Sequence, residues 1–260
     1  MGSDFPYAPH FKGQKVGASY NERLERLMSK DFHILGPYSE NCFSSINNYK
    51  VKNQGKTPTC YAYAIAGIIC LASKRVHGRP TLDFYQIKDK IIQNYGEKEG
   101  GDVDKILMNT KLLSEYRLRC REISINDAIG ILVNENQRPI LATFYLSGKE
   151  WNGLSHYFNK FPDGILKKED LINYYDSRFE SQSGGHAVII MGCYYRQTQN
   201  GKIYYFKIAN SWGNNWANNG YFNAAIDVTE FRLYDVYWLE SDLSLQERLK
   251  YLKDYPEEFY

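Results

Sequence analysis

The 260-residue sequence predicts an α+β protein of two lobes, with helices in its first half and a sheet in its second half. The stretch CYAYAIAGIICLASKR, from Cys60 to Arg75, is almost wholly apolar and predicts a buried helix. After Pro139 the chain turns to short runs rich in β-branched and aromatic residues, which predict strands. Because helices precede strands without βαβ alternation, the functional groups are expected in a cleft between the two lobes.

Composition indicates a globular protein and narrows the range of partners. Apolar residues make up 43% of the chain, enough for a sizeable core. Lys and Arg number 32 against 30 Asp and Glu, so the net charge of +2 gives no reason to expect nucleic acid as a partner. The sequence has no run of about 18 apolar residues, and no membrane partner is expected. The five cysteines lack CxxC spacing, so we expect no metal and no other cofactor.

The helical half begins with Cys60 at the start of the apolar helix, preceded by Thr57 and Thr59 as candidate N-caps. Further helices are predicted at Thr81 to Tyr95 and at Asp102 to Tyr116, with a loop carrying Gly100 and Gly101 between them. A short helix is also predicted at Asn21 to Lys30.

The strand half contains the runs ILATFYL, HAVIIMGCYY and IYYFKIANSW, separated by Gly, Asn and Ser. A last helix is predicted in SLQERLKYLKDY, from Ser244 to Tyr255. Leu245, Leu249 and Leu252 fall on one face of that helix, which is therefore expected to dock on the domain or to bind a partner.

Cys60 is a candidate nucleophile because of its place at a helix start. A thiol attacks a carbonyl as the thiolate, and the positive end of a helix dipole together with a nearby imidazolium lowers the pKa of a thiol. Taken alone, a cysteine on an apolar helix is more often a small core residue, and Cys70 is interpreted in that way.

Three further residues supply the other parts of an acyl-transfer site. Gln54, six residues before Cys60, is a candidate donor to a developing oxyanion, although a loop glutamine need have no such role. His186 lies in GGHAVIIMG at the mouth of a predicted strand, where a histidine is otherwise a core residue. Asn210 lies in ANSWGNNW, where its amide would fix the tautomer of the imidazole while Trp212 shields the bond from water.

At these residues the chain resembles the papain-like cysteine peptidases, the family that includes the cathepsins. QGKTPTCYAY, GGHAVIIMG and NSWGNNWANNGYF stand for three of the family's sequence blocks, and His186 and Asn210 follow Cys60 by 126 and 150 residues. The resemblance implies a papain-like fold with a β-barrel-like second lobe. It also implies Cys60 as nucleophile, His186 as general base and acid, Asn210 as its orienting residue and Gln54 in the oxyanion hole. The substrate-binding residues that it implies are Gly100, Gly101, Gly185, Trp212 and Tyr61.

The resemblance divides the chain into three parts. Residues 37–239 would form the peptidase domain, with a helical lobe at about 37–137 and a sheet lobe at about 138–239. Residues 1–36 would be an N-terminal extension, interpreted as a short propeptide that would make the chain a zymogen, and residues 240–260 a C-terminal extension.

Thr57 and Lys98 occupy two positions where the family has disulfide-bonded cysteines. Their joint loss is typical of a reducing, intracellular (cytoplasmic) setting. A secreted, lysosomal or vacuolar setting stays open if a targeting segment was removed.

The function that follows is hydrolysis of peptide bonds in a protein or peptide substrate, by a cysteine endopeptidase that works through a thiolate–imidazolium pair and an acyl-enzyme. One alternative is another acyl transfer on the same triad, such as isopeptide or ubiquitin-like cleavage. The other is a catalytically inactive homologue that serves as a binding module.

Overall fold

A computed structural model describes residues 49–76, 78–97, 100–108, 110–133, 137–178, 181–199 and 201–254. The predicted helix at Asn21 to Lys30 and the whole extension 1–36 lie outside these residues. Among the helices described, none is long and apolar enough to cross a membrane.

Four helices form the first half of the described chain: α1 (Cys60–Lys74), α2 (Phe84–Tyr95), α3 (Val103–Leu107) and α4 (Thr110–Glu115). The single helix expected from Asp102 to Tyr116 is therefore two short ones. Asp83 and Asp102 explain where α2 and α3 begin, because each carboxylate accepts hydrogen bonds from backbone N–H groups of the first turn.

From residue 119 onwards the chain contains all seven strands of the described sheet: β1 (Arg119–Ile123), β2 (Ile140–Leu146), β3 (Ile165–Leu166), β4 (Gly184–Thr198), β5 (Gly201–Ala209), β6 (Tyr221–Ala225) and β7 (Arg232–Tyr237). Strand β1 precedes Pro139, after which the strands were predicted. Three helices lie between them: α5 (Ile125–Val133), α6 (Gly148–Lys160) and α7 (Asp170–Asn173). A 3₁₀ turn (Glu240–Asp242) and α8 (Leu245–Asp254) follow β7.

The strands form one sheet in the order β1-β7-β2-β4-β5-β6-β3, antiparallel except for the short β3–β6 pair. In the pairing of β2 with β4, Phe144 lies opposite His186. In the pairing of β4 with β5, Ile189 lies opposite Ala209. The start of β4 and the end of β5 are therefore neighbours, and this register brings His186 beside Asn210.

Strand β4 separates two hydrophobic cores. Val188 and Ile190 point into the core of the sheet lobe, which includes Phe158 and Phe206. Ala187, Ile189 and Met191 point to the opposite side, into a core built around α1. Since successive side chains of a strand face opposite ways, the buried stretch 186–193 of this one strand contributes to both cores. The predicted α+β architecture of two lobes is confirmed.

Helix α8 docks differently from the prediction. Leu245 and Leu249 are 73% and 56% exposed, so these two leucines do not pack on the domain. The buried contact is made by Glu247, whose carboxylate pairs with Arg79 and Arg117. The period of the leucines identified the helix, and the arginines that hold it lie more than a hundred residues earlier in the chain.

Candidate active site

The predicted site residues lie along a long cleft between the lobes, which has a volume of about 1460 Å³. This volume exceeds that of an ordinary small-molecule pocket, so the cleft has room for an extended peptide. Eight of the nine predicted residues line it: Gln54, Cys60, Tyr61, Gly100, Gly101, Gly185, His186 and Trp212. The ninth, Asn210, lies behind His186 and contacts it directly.

The amino terminus of α1 places the thiol of Cys60. Thr59 occupies the N-cap position, but its hydroxyl makes no capping hydrogen bond and lies instead 2.8 Å from the hydroxyl of Thr57. The first N–H groups of the helix therefore have no side-chain cap. The N–H groups of Cys60 and Tyr61 instead form hydrogen bonds with the Cys60 sulfur. The backbone N–H of Ala187 forms a hydrogen bond with the same sulfur, so the thiol lies beside the residue that follows His186.

The tautomer of His186 is fixed by Asn210. His186 Nε2 lies 2.7 Å from Asn210 Oδ1, and the Ser211 N–H donates to the same oxygen at 2.8 Å. Because Oδ1 accepts from the backbone, the amide orientation is defined, and Nε2 must carry the hydrogen that it shares with Oδ1. In the neutral ring Nδ1 is then the unprotonated nitrogen, available as a base.

Aromatic rings enclose the His186–Asn210 bond. The Trp212 ring centroid lies 5.1 Å from that of His186, and those of Trp151 and Phe144 lie at 5.6 and 5.7 Å. His186 and Asn210 are both buried, so water has little access to the hydrogen bond. The shielding expected of Trp212 is thus shared by three rings.

Burial sets the pKa directions of the two reactive groups. Burial raises the pKa of the Cys60 thiol above its usual value, and the N–H groups of Ala187, Tyr61 and Cys60 oppose that change in part. Burial lowers the pKa of His186 to about 4, against an opposing effect of the Asn210 hydrogen bond. The expectation of a lowered pKa for Cys60 was wrong, because desolvation of the sulfur outweighs the helix amides. Both shifts favour the uncharged forms, the thiol and the neutral imidazole.

Gln54 is held in the cleft wall by residues of both lobes. Its Nε2 donates to the Thr57 carbonyl at 2.7 Å, and its Oε1 accepts a short hydrogen bond from the Ser211 hydroxyl. Its backbone N–H donates to the Ser211 carbonyl at 2.8 Å. These bonds fix which end of the amide is the donor, and the second hydrogen on Nε2 is used by neither of them.

Gly101 packs directly against the Tyr61 ring in the cleft wall, which is possible because glycine has no side chain. A Cβ on Gly101 would lie 2.5 Å from the Tyr61 ring, which no side chain tolerates without movement of the ring or the loop. Gly100 adopts a φ of 138°, which is strained for any residue with a side chain. Steric constraints therefore explain both glycines: a side chain at Gly101 would clash with Tyr61, and a side chain at Gly100 would strain the backbone.

The sequence interpretation missed Ser211, Trp151 and Phe144. Ser211 lies inside the ANSWGNNW stretch that was singled out, and its amide and hydroxyl hold Asn210 and Gln54. Trp151 and Phe144 carry no local signal, because they reach His186 only through the pairing of β2 with β4 and the position of α6.

Comparison with known proteins supports the resemblance to the papain-like cysteine peptidases. The model of the papain family cysteine proteases matches residues 151–236, a range that contains His186 and Asn210 but not Cys60. No protein of curated function is detectably similar in sequence.

Among solved structures, procathepsin B S9 from Trypanosoma congolense has a TM-score of 0.51 and 13% identity, over 86% of this chain and 82% of that one. SERA5E from Plasmodium falciparum gives a TM-score of 0.40 and 19% identity, over 77% of this chain and 92% of that one. The first of these likenesses shows a shared fold. Together with the family match, it confirms the predicted resemblance.

Proposed function

We propose that this chain is a cysteine endopeptidase, with Cys60 as nucleophile and His186 as its general base and acid. One observation carries the proposal: a thiol at a helix start and an imidazole with a free, oriented Nδ1 line the same peptide-sized cleft. Asn210 acts as the orienting residue and Gln54 as an oxyanion donor in this proposal. The substrate would lie along Gly100, Gly101, Gly185, Tyr61 and Trp212.

The proposed reaction begins from the neutral pair. Cys60 transfers its proton to His186 Nδ1 as the sulfur attacks the scissile carbonyl, so the thiolate–imidazolium pair forms during attack. The carbonyl π electrons move to oxygen, where the Gln54 Nε2–H and the Cys60 N–H stabilise the negative charge. The tetrahedral intermediate then collapses, the C–N bond breaks and His186 protonates the leaving amine.

The acyl-enzyme is resolved by water. Water attacks the thioester and gives a proton to His186, the S–C bond breaks and the proton returns to Cys60. Asn210 holds the ring direction in both steps, since its Oδ1 accepts from Nε2–H whether or not Nδ1 is protonated. No metal or other cofactor takes part in this scheme.

The nucleophile is tested by labelling with an epoxide or vinyl-sulfone probe of cysteine peptidases. Cys60→Ala is expected to abolish both labelling and peptide hydrolysis. Cys70→Ala is the matched control, because Cys70 lies on the same helix outside the cleft lining. Labelling that persists in Cys60→Ala and disappears in Cys70→Ala would reject Cys60 as the nucleophile.

The neutral resting pair is tested by the pH dependence of alkylation. Because burial raises the pKa of the Cys60 thiol, the rate of iodoacetamide labelling of Cys60 should rise steadily with pH from about pH 6 to about pH 9. A resting ion pair would instead give a nearly constant rate over that range. Labelling of the Cys60→Ala variant provides the background from the other thiols.

Isopeptide cleavage and transamidation remain the rival reactions on the same residues. Side-by-side assays on linear peptides and on ubiquitin-fused substrates separate them, and linear peptides are expected to be the better substrates. An inactive homologue would bind peptides in the cleft without turning them over.

The chain's compartment and activation are part of the same proposal. Thr57 and Lys98 stand where the family has disulfide-bonded cysteines, which supports a reducing, cytoplasmic setting over a secreted or lysosomal one. Residues 1–36 are proposed as a short propeptide from the sequence alone. Incubation with active enzyme and N-terminal sequencing should then reveal a cut between about Lys30 and Tyr49.

A further inference from the structure

The loop that leads into α1, residues 54–59, carries the proposed oxyanion donor although most of it is exposed. Its exposed residues are Gly55, Lys56, Thr57 and Pro58. Its sequence, QGKTPT, has no cysteine that could tie the loop by a disulfide. An oxyanion donor is effective when it is held in place before the reaction. In this loop hydrogen bonds must therefore hold the donor.

Gln54 is held at four atoms, two of them by the sheet lobe and two by its own loop. Ser211 bonds to the Gln54 backbone N–H and to its Oε1. Thr57 bonds to the other two atoms: its carbonyl accepts from Gln54 Nε2 at 2.7 Å, and its hydroxyl lies 2.7 Å from the Gln54 carbonyl oxygen. Within the loop, Thr57 is therefore the counterpart of Ser211.

The direction of the hydroxyl hydrogen bonds follows from the acceptor at one end. The Gln54 carbonyl oxygen has no hydrogen to give, so the Thr57 hydroxyl must donate to it. A hydroxyl has a single hydrogen, so Thr59 is the donor in the 2.8 Å contact between the two threonine hydroxyls. The hydroxyls thus form a chain from Thr59 to Thr57 to Gln54, in which each bond polarises the next.

Thr59 contributes to this chain in place of its usual role at a helix start. A threonine at an N-cap ordinarily accepts a hydrogen bond from a backbone N–H of the first turn. Thr59 makes no such bond, and its hydroxyl points to Thr57 instead. Local rules of this kind are broken most often at functional sites, which favours a role for the hydroxyl chain in the site.

Other bonds fix the two ends of the loop. Before the loop, the Tyr63 hydroxyl donates to the Asn53 carbonyl at 3.0 Å. At its end, the Thr59 carbonyl accepts the first backbone hydrogen bonds of α1. Between these anchors Thr57 bonds back to Gln54, so loss of the Thr57 hydroxyl should loosen Gln54 without detaching the loop.

We infer that Thr57 is a positioning residue, whose hydroxyl holds Gln54 so that the second Nε2 hydrogen points to the developing oxyanion. The inference rests on the proposed peptidase function, to which it adds a residue outside the cleft lining. Thr57 acts through Gln54, and Gln54 stabilises a charge that exists after attack and not in the bound substrate. The effect of Thr57 therefore belongs to kcat rather than to KM.

The expected effect is that of one neutral hydrogen bond at an exposed position. Removal of the Thr57 hydroxyl should lower kcat about two- to tenfold and leave KM within about twofold of the native value. The loss is moderate because water can take the place of the hydroxyl, although it holds Gln54 less firmly. The midpoint of urea unfolding should hardly change, since Thr57 is exposed.

The test compares Thr57→Val, which removes the hydroxyl and keeps the shape, with Thr57→Ser, which keeps the hydroxyl. We expect kcat for peptide hydrolysis to fall in the first variant and to stay near the native value in the second. The matched control is Thr198→Val. The Thr198 hydroxyl also donates to a carbonyl, that of Gly201 at 2.7 Å, but it lies at the end of β4 remote from His186. Its loss should leave kcat unchanged.

A double-mutant cycle with Gln54→Ala shows whether Thr57 acts through Gln54. In the Gln54→Ala background, Thr57→Val should cause no further loss of kcat. A merely structural role would lower kcat equally in both backgrounds. Equal losses with and without Gln54, or no loss in the native background, would overturn the inference while hydrolysis stands.

Nuclear magnetic resonance of the Gln54 side-chain amide gives a readout that does not depend on turnover. The heteronuclear NOE of this NH₂ group, assigned by its disappearance in Gln54→Ala, should fall in Thr57→Val and not in Thr57→Ser. If the native chain turns over no peptide but this fall is seen, the peptidase is overturned and the positioning role stands. No turnover together with an unchanged amide would overturn both.

Discussion

Glu247 should make a larger contribution to stability than any leucine of the C-terminal helix. Its side chain is 4% exposed and accepts from Arg117 at 2.8 and 2.7 Å, from Arg79 Nε at 2.9 Å and from the Ser244 N–H at 2.7 Å. These partners lower the pKa of Glu247 to about 2, from an ordinary value of 4.5, against the opposing effect of burial. That difference corresponds to about 3 kcal/mol of stabilisation at pH 7.

A second estimate of the stabilisation by Glu247 gives a free energy of similar size. Removing one member of a buried ion pair costs about 3 to 5 kcal/mol, because its partner is left buried and unpaired. Arg79, 4% exposed, is such a partner, whereas Arg117 at 41% can regain water. We therefore expect Glu247→Gln to reduce the free energy of unfolding by about 3 kcal/mol at pH 7.

The assay is urea unfolding followed by circular dichroism, with Leu249→Ala as the matched control on the same helix. Leu249 is 56% exposed, so its truncation should change stability by no more than about 0.5 kcal/mol. The native pKa of Glu247 is depressed, so its contribution is complete above about pH 4.5 and is lost as the pH falls towards 2. The difference between the native chain and Glu247→Gln should shrink over that range. A loss below 1 kcal/mol at pH 7, or a Leu249→Ala variant as unstable as Glu247→Gln, would refute ionic docking of α8.

Two further substitutions test the site and the packing behind it. Asn210→Ala should lower kcat/KM by about ten- to hundredfold, because a hydrogen bond to the charged imidazole contributes about 1.5 to 3 kcal/mol, and the loss should be smaller than that of Cys60→Ala. Peptide hydrolysis rates measure both, and an Asn210→Ala variant with unchanged kcat/KM would contradict the orienting role. Gly153→Ala should destabilise the sheet lobe by about 1 to 3 kcal/mol or more, since its Cβ would lie 1.9 Å from the Leu171 carbonyl oxygen. Gly184→Ala, with nothing within 4 Å of its Cβ, is the control in the same thermal unfolding assay, and equal stability of the two variants would show that α6 and α7 are not packed this closely.

Local sequence patterns predicted the features that depend on interactions within a few residues of the chain. The apolar run of α1 is visible without any fold, because it lies within a few residues of sequence. The start of α2 was predicted at Thr81 and lies at Phe84, because the Asp83 cap was not recognised. The break between α3 and α4 was not predicted, since periodicity alone continues through it. The exposure of Leu245 and Leu249 could not be predicted, because a helical period shows that a face exists and not what lies opposite it.

The sequence by itself determined the chemical groups of the site: a thiol at a helix start, an imidazole on a strand, and two amides at fixed spacing from them. Only the tertiary structure decided their state. Burial of Cys60 and His186 raises one pKa and lowers the other, and Ser211 fixes the orientation of Asn210 and Gln54. Desolvation and hydrogen-bond direction depend on atoms brought together from distant parts of the chain, so neither can be predicted from a local segment of the sequence.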